Sequence, residues 1–119
     1  MLSLLNYNNQ MKKVIILLIF LNISLLANQS ILIINSYHKG YEFSDKIISA
    51  MEKEFYKNSN LDINILYMDS KRIITKEYFD NLKNLYKVQL NNRKYDLVVA
   101  VDRFAYDFVL ENYLTFFND

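Results

Sequence analysis

The feature that most constrains this chain is a set of three short apolar runs, each followed by a polar loop and then by an amphipathic stretch of helical period. The first, Ile31-Leu-Ile-Ile34, is continuous and rich in β-branched residues, as a strand buried on both faces requires. Leu61 to Met68 alternates, with Leu61, Ile63, Ile65 and Tyr67 on one face and Leu66 and Met68 on the other near its end. It reads as a strand exposed at its start and buried later. Leu97-Val-Val-Ala-Val101 follows Asp96 and is apolar throughout. Between the runs, Ile47, Ile48, Met51 and Phe55 recur at helical spacing, as do Phe79, Leu82, Tyr86 and Leu90. After the third run, Ala105, Phe108 and Val109 share a face of a helix reaching about Tyr113.

The helix ends carry signals of their own. Ser44 is placed to cap the first helix by accepting a free backbone N–H, and Asn58-Ser59-Asn60 closes it. Thr75 caps the second, with Glu77 suited to the positive end of its dipole, and Asn91-Asn92 ends it. The order β-α-β-α-β-α predicts an α/β fold, a three-layer parallel sheet joined by right-handed crossovers, with spatial strand order 2-1-3. Three polar loops then gather at the C-terminal ends of the strands, where ligands of open α/β sheets bind. Three strands and about 90 residues make a small core, so the domain reads as partial.

The N-terminus has a different character. Lys12-Lys13 precede the apolar run Val14–Leu21, and the apolar character resumes after Asn22 and ends at Leu25-Leu26-Ala27. A basic region, a short apolar core and a small residue form a secretory signal layout. The 14 residues from Val14 to Ala27 fall short of the ~20 that a spanning helix needs. Residues 1–29 are therefore assigned to a signal peptide, cleaved after Ala27, and 30–119 to the domain. Leu25 stands where a small residue is preferred, which leaves an uncleaved anchor to the inner membrane as the alternative. Met11 sits where such a peptide should start, so residues 1–10 read as an upstream extension. The expected location is periplasmic.

Composition removes several function classes. The chain has no cysteine and one histidine, His38, so thiol chemistry, a multi-His metal site and a His-based triad are not available within it. With one glycine it cannot build a glycine-rich phosphate loop. Without Lys12 and Lys13 the remainder holds 12 basic residues against 13 acidic, a net of −1 that gives no electrostatic reason to expect nucleic acid. No metal or cofactor is expected.

Three segments in order carry a family resemblance: Ile31-Leu-Ile-Ile-Asn-Ser-Tyr-His38 with Gly40-Tyr41, then Tyr67-Met-Asp-Ser-Lys-Arg72, then Tyr95-Asp-Leu-Val-Val-Ala-Val-Asp102 with Phe104-Ala105. Together, over about residues 30 to 117, they resemble the ABC-transporter substrate-binding-protein-like family of type I periplasmic binding folds. Such domains occur alone and as extracytoplasmic sensors of membrane-bound histidine kinases and diguanylate cyclases. The resemblance implies a partial first lobe of a binding protein, a small polar ligand held in a cleft against a second lobe, and no enzyme activity in this segment. The second lobe and any output domain would lie downstream of it. An unpaired edge beside the third strand is expected to aggregate, and self-association as a homodimer is left open.

The candidate ligand-binding residues are Ser36, Tyr37, His38, Asp69, Lys71, Asp102 and Arg103. Ser36 and Tyr37 offer a hydroxyl and an aromatic platform, or else a loop-capping serine and a half-buried tyrosine. His38 is a ligand contact or an exposed loop residue. Asp69 and Lys71 could orient a polar ligand by charge-assisted hydrogen bonds, or cap a turn and stand in solvent. Asp102 and Arg103 lie at the mouth, with Asp102 also suited to N-cap the third helix. The tyrosines and phenylalanines on the helices read as core.

Two rival readings are weaker. A phosphoacceptor receiver domain would place Asp102 as its aspartate, but needs an acidic pair where Asn35-Ser36 stands. An enzyme using Asp69 and Asp102 as an acid–base pair lacks a nucleophile or metal set. A further reading, not exclusive of the binding module, is a truncated product with no independent function.

Overall fold

A computed structural model of the protein describes residues 11–13, 28–57 and 60–117. Its elements are β1 (Gln29–Asn35), α1 (Glu42–Phe55), β2 (Leu61–Tyr67), α2 (Lys76–Leu90), β3 (Leu97–Val101) and α3 (Arg103–Phe116). The strands form one sheet in the expected order β2-β1-β3, parallel throughout as two successive βαβ units require. In register, Ile33 lies between Ile65 and Val99.

Alternation of side chains along β1 builds two cores. Ile31 and Ile33 turn to one face, where Ile48, Met51 and Phe55 of α1 meet them with Val99 and Val101. Leu32 and Ile34 turn to the other, against Leu82, Tyr86 and Leu90 of α2 and Ala105, Phe108 and Phe116 of α3. The sheet is thus the middle of three layers, with one helix on one face and two on the other. Each apolar side chain sealed in β1 contributes about 1.5–3 kcal/mol relative to exposure. Tyr86, Phe108 and Phe116 pack with ring centroids 5.6–6.5 Å apart. The Tyr86 hydroxyl is buried there without a hydrogen-bond partner, and burial pushes its pKa well up.

At the N-terminal end of the sheet, β3 is clamped to β1. The Ser30 N–H donates to the Asp96 carboxylate (2.7 Å), and the Asp96 N–H donates to the Ser30 carbonyl (2.8 Å). At the far end of α2, Asn92 takes a left-handed conformation (φ +60°), one of the few a non-glycine residue tolerates after a helix.

Two helix boundaries depart from the sequence expectation. Ser44 does not cap α1, because the helix starts at Glu42 with Tyr41 in the cap position. Ser44 is buried inside the first turn and its hydroxyl donates to the Tyr41 carbonyl (3.2 Å). Asp45 reaches back instead to accept the Gly40 N–H (2.8 Å). The chain's one glycine, at φ +100°, makes the turn that starts the helix early. The third helix runs past Tyr113 to Phe116, since Phe116 returns to the buried face beside Phe108.

Thr75 caps α2 as its position implies, accepting the Tyr78 N–H at 3.3 Å. α1 ends at Phe55, ahead of Asn58-Ser59-Asn60. Asn58 and Ser59 lie outside the described residues, as do 1–10 and 14–27, on which the signal-peptide reading rests. Gln29 already opens β1, so a boundary between residues 29 and 30 falls inside the strand. No helix among the described residues is long and apolar enough to cross a membrane.

Candidate functional site

The C-terminal ends of the three strands are fastened through one serine. Ser36 is fully buried. Its hydroxyl donates to the Val101 carbonyl of β3 (2.8 Å) and accepts the Ala105 N–H of α3 (2.8 Å). Its own N–H donates to Val101 O (3.1 Å). Its carbonyl accepts both the N–H (2.8 Å) and the hydroxyl (2.5 Å) of Ser70, just past β2. Ser36 thus ties all three strand ends and satisfies a donor in the first turn of α3 that has no intrahelical acceptor. It is a fastening residue, with no surface facing a cleft.

On this platform stand side chains from all three loops. Asp102 adopts φ +73°, ψ 166°, a conformation that belongs almost entirely to glycine and carries strain of about 1–3 kcal/mol in other residues. The strain aims its carboxylate two ways. One oxygen accepts the Arg103 N–H as the N-cap of α3, and the other accepts the Tyr37 hydroxyl at 2.6 Å. That hydrogen bond, together with desolvation and the carboxylate's charge, pushes the Tyr37 phenol up to about 12.

The Tyr37 ring packs tilted against Tyr41, with centroids 4.5 Å apart. Lys71 Nζ donates to the Tyr41 hydroxyl (2.5 Å) and lies 4.0 Å from that ring's centroid and 5.9 Å from that of Tyr37. Asp69, also at positive φ (+54°), takes a forked contact from Arg72, 2.7 Å from Nε and 2.6 Å from Nη2. Those bonds hold the Asp69 carboxyl below the usual carboxylate range against the opposing pull of desolvation. His38 Nδ1 lies 3.2 Å from Asp69 Oδ1, but off the line of a hydrogen bond.

Five of the seven residues singled out from sequence therefore share this surface: Tyr37, His38, Asp69, Lys71 and Asp102. Ser36 lies beneath it. Arg103 contributes only its backbone N–H, because its side chain runs along the exposed face of α3 to Asp107 (3.4 Å). Sequence reasoning missed three participants. Tyr41 was legible as the residue after Gly40, whose turn brings the chain back on itself through the Tyr41 N–H to the His38 carbonyl (3.3 Å). Arg72 stands three residues from Asp69, a spacing at which opposite charges meet in a tight turn. Ser70 gave no signal apart from its neighbours.

Chemically, both carboxylates are already engaged, Asp69 by a guanidinium and Asp102 by a phenol and a cap. Lys71 offers an ammonium group above a pair of phenol rings, so the surface suits a polar ligand bearing an acceptor or an anionic group. It is open, not enclosed. Two concavities, of about 360 Å³ along the free edge of β2 and about 730 Å³ at the start of β3, are lined by none of the five residues. No group of three or more His, Cys, Asp or Glu among the described residues is placed to hold a metal. No protein-family model, curated protein or solved structure matches this chain.

Proposed function

We propose that this chain is an extracytoplasmic module that binds a small polar ligand, the partial first lobe of a periplasmic sensor or solute-binding protein. The observation that carries the reading is the gathering of Tyr37, Tyr41, His38, Asp69, Lys71 and Asp102 at the C-terminal edge of a parallel sheet, around a strained Asp102. Backbone strain of this kind concentrates at ligand clamps, and this edge is where open α/β sheets take their ligands. An open surface accords with a half-site that a second lobe completes. The three segments resembling substrate-binding-protein-like domains point the same way, and the basic-apolar-small layout of residues 12–27 supports export.

Two measurements test it. Backbone amide spectra of the chain are recorded with pools of amino acids, polyols and small carboxylates. Binding predicts shift changes confined to residues 36–41, 68–72 and 102, and lost in Lys71→Ala. Changes centred elsewhere, or none from any pool, reject the ligand-site reading. Export is tested separately by fusing residues 11–30 to an alkaline phosphatase that is active only outside the cytoplasm; an inactive fusion rejects it.

A further inference from the structure

The two ring nitrogens of His38 have different surroundings. The side chain is 28% exposed, yet Nδ1 is buried and has no hydrogen-bond partner. Nε2 is not buried in this way, and it makes no hydrogen bond among the described residues. What faces Nδ1 is Asp69, whose Oδ1 lies at 3.2 Å. The Arg72 fork keeps that carboxyl ionised. Arg72 directs Nε and Nη2 at Asp69, and no donor is placed to serve a lone pair on Nδ1.

The sign of this contact decides where the ring keeps its proton. A neutral imidazole holds one N–H and one lone pair, and the group facing one nitrogen fixes the state of the other. A lone pair on Nδ1 would stand directly against a negative oxygen. An N–H in the same place is attracted to that oxygen, even off the line of a full hydrogen bond.

We propose that Asp69 holds the neutral His38 ring as its Nδ1–H tautomer, so that the open Nε2 is a hydrogen-bond acceptor for a hydroxyl or ammonium group of the ligand. Asp69 is then a positioning residue that acts through His38. The use of Nε2 rests on the ligand-site reading above, whereas the place of the proton does not.

This acceptor complements its neighbours. The Tyr41 hydroxyl accepts a Lys71 N–H and so keeps its own O–H to donate, and the Lys71 ammonium keeps further N–H groups. Both Asp102 oxygens are engaged, and Asp69 is forked to Arg72. The His38 and Tyr41 rings lie 6.1 Å apart between centroids. A small ligand can therefore offer an acceptor or anionic group to Lys71 and Tyr41 and a donor to Nε2 at once.

His38 is the chain's one histidine, so its ring signals need no assignment. The full chain, isotope-labelled at the histidine ring nitrogens, is measured by long-range proton–nitrogen correlation at about pH 8.5, above the range in which ordinary imidazoles take up a proton. A nitrogen that carries a proton resonates far upfield of one that holds a lone pair. The proposal predicts Nδ1 upfield and Nε2 downfield. Asp69→Gly removes the carboxylate, and glycine accepts the φ of +54° freely. There the Nδ1 signal should move downfield and the Nε2 signal upfield. The reverse pattern in the parent, two signals at an averaged position, or an unchanged pattern in folded Asp69→Gly would each overturn the proposal.

The parent is then titrated with the pools of amino acids and polyols, every member of which carries a donor. Binding should draw the Nε2 signal upfield, as an accepted hydrogen bond does. Binding that shifts the site's amides and leaves Nε2 in place overturns the acceptor role, and so does binding of acetate or propionate alone, since neither ion carries a donor. If no pool binds, the ligand-site reading fails, and the use of Nε2 with it, while the proton assignment stands on the free chain.

Discussion

Replacing Ser36 with alanine tests whether one hydroxyl fastens the whole C-terminal edge of the sheet. The substitution deletes two hydrogen bonds, but their losses are unequal. The Val101 carbonyl still accepts the Ser36 N–H at 3.1 Å, so it stays satisfied. The Ala105 N–H is left buried with no acceptor, because its position in the first turn of α3 offers no intrahelical one. An orphaned buried donor costs about 1–3 kcal/mol, so the expected loss is about 2 kcal/mol, or roughly a 10 °C fall in Tm for a domain of this size.

Ser70→Ala is the internal control. It also removes a buried hydroxyl bond, to the Ser36 carbonyl, yet that carbonyl keeps the Ser70 N–H at 2.8 Å and no donor is orphaned. Its expected cost is about 0.5–1.5 kcal/mol. Urea unfolding followed by circular dichroism reads both variants, with equal m-values required for comparison. If Ser36→Ala costs no more than Ser70→Ala, the unsatisfied Ala105 donor is not the controlling term and the fastening account is wrong.

Three further outcomes are expected. Asp102→Gly should unfold at a higher urea concentration than Asp102→Ala, by about 1 kcal/mol, since both lose the cap but glycine accepts φ +73° freely; the reverse order in urea melts would refute strain at this position. In the phenolate absorbance difference between the parent and Tyr37→Phe, Tyr37 should titrate at about 12, and Asp102→Asn should bring it back toward 10.0. Because the folded value is raised, the associated stability is complete below pH 10.0 and is lost as pH climbs toward about 12, where the unfolded phenol ionises first; a stability that rises over that window would contradict the assignment. For Asp69 the sign is opposite: its depressed carboxyl contributes stability above the ordinary carboxylate range and loses it as pH falls through the folded value, and Arg72→Gln should move its carboxyl resonance titration upward.

Much of the fold could be read from periodicity. The burial of Ile31–Ile34, the capping Thr75 and the stripe Phe79–Leu82–Tyr86–Leu90 all follow from side-chain spacing alone. The parallel sense of the strands followed from the alternation of strand and helix and not from any single residue. The positions of the site loops were legible for the same reason, since a parallel sheet gathers them at one edge. Which residue of each loop faces outward was not. Ser36 and Tyr37 are neighbours of similar polarity, and a one-residue step decides which enters the core. Ser44 looked like a cap because serine suits both a cap and a buried first turn, and only the Gly40 turn settles where α1 begins. The pairing of Arg103 with Asp107 follows a four-residue helical spacing that competes with any role at the mouth.

The joint at Ser36 connects the site to the head of α3. Tyr37 is the next residue along the chain, and its hydroxyl grips the residue that caps α3. A ligand that displaced the Tyr37 ring would therefore pull on Asp102, at the head of α3, while Ser36 holds the first turn of the same helix. Movement of that ring would act at the head of a fourteen-residue helix, whose far end at Phe116 lies on the same face, at the N-terminal end of the sheet.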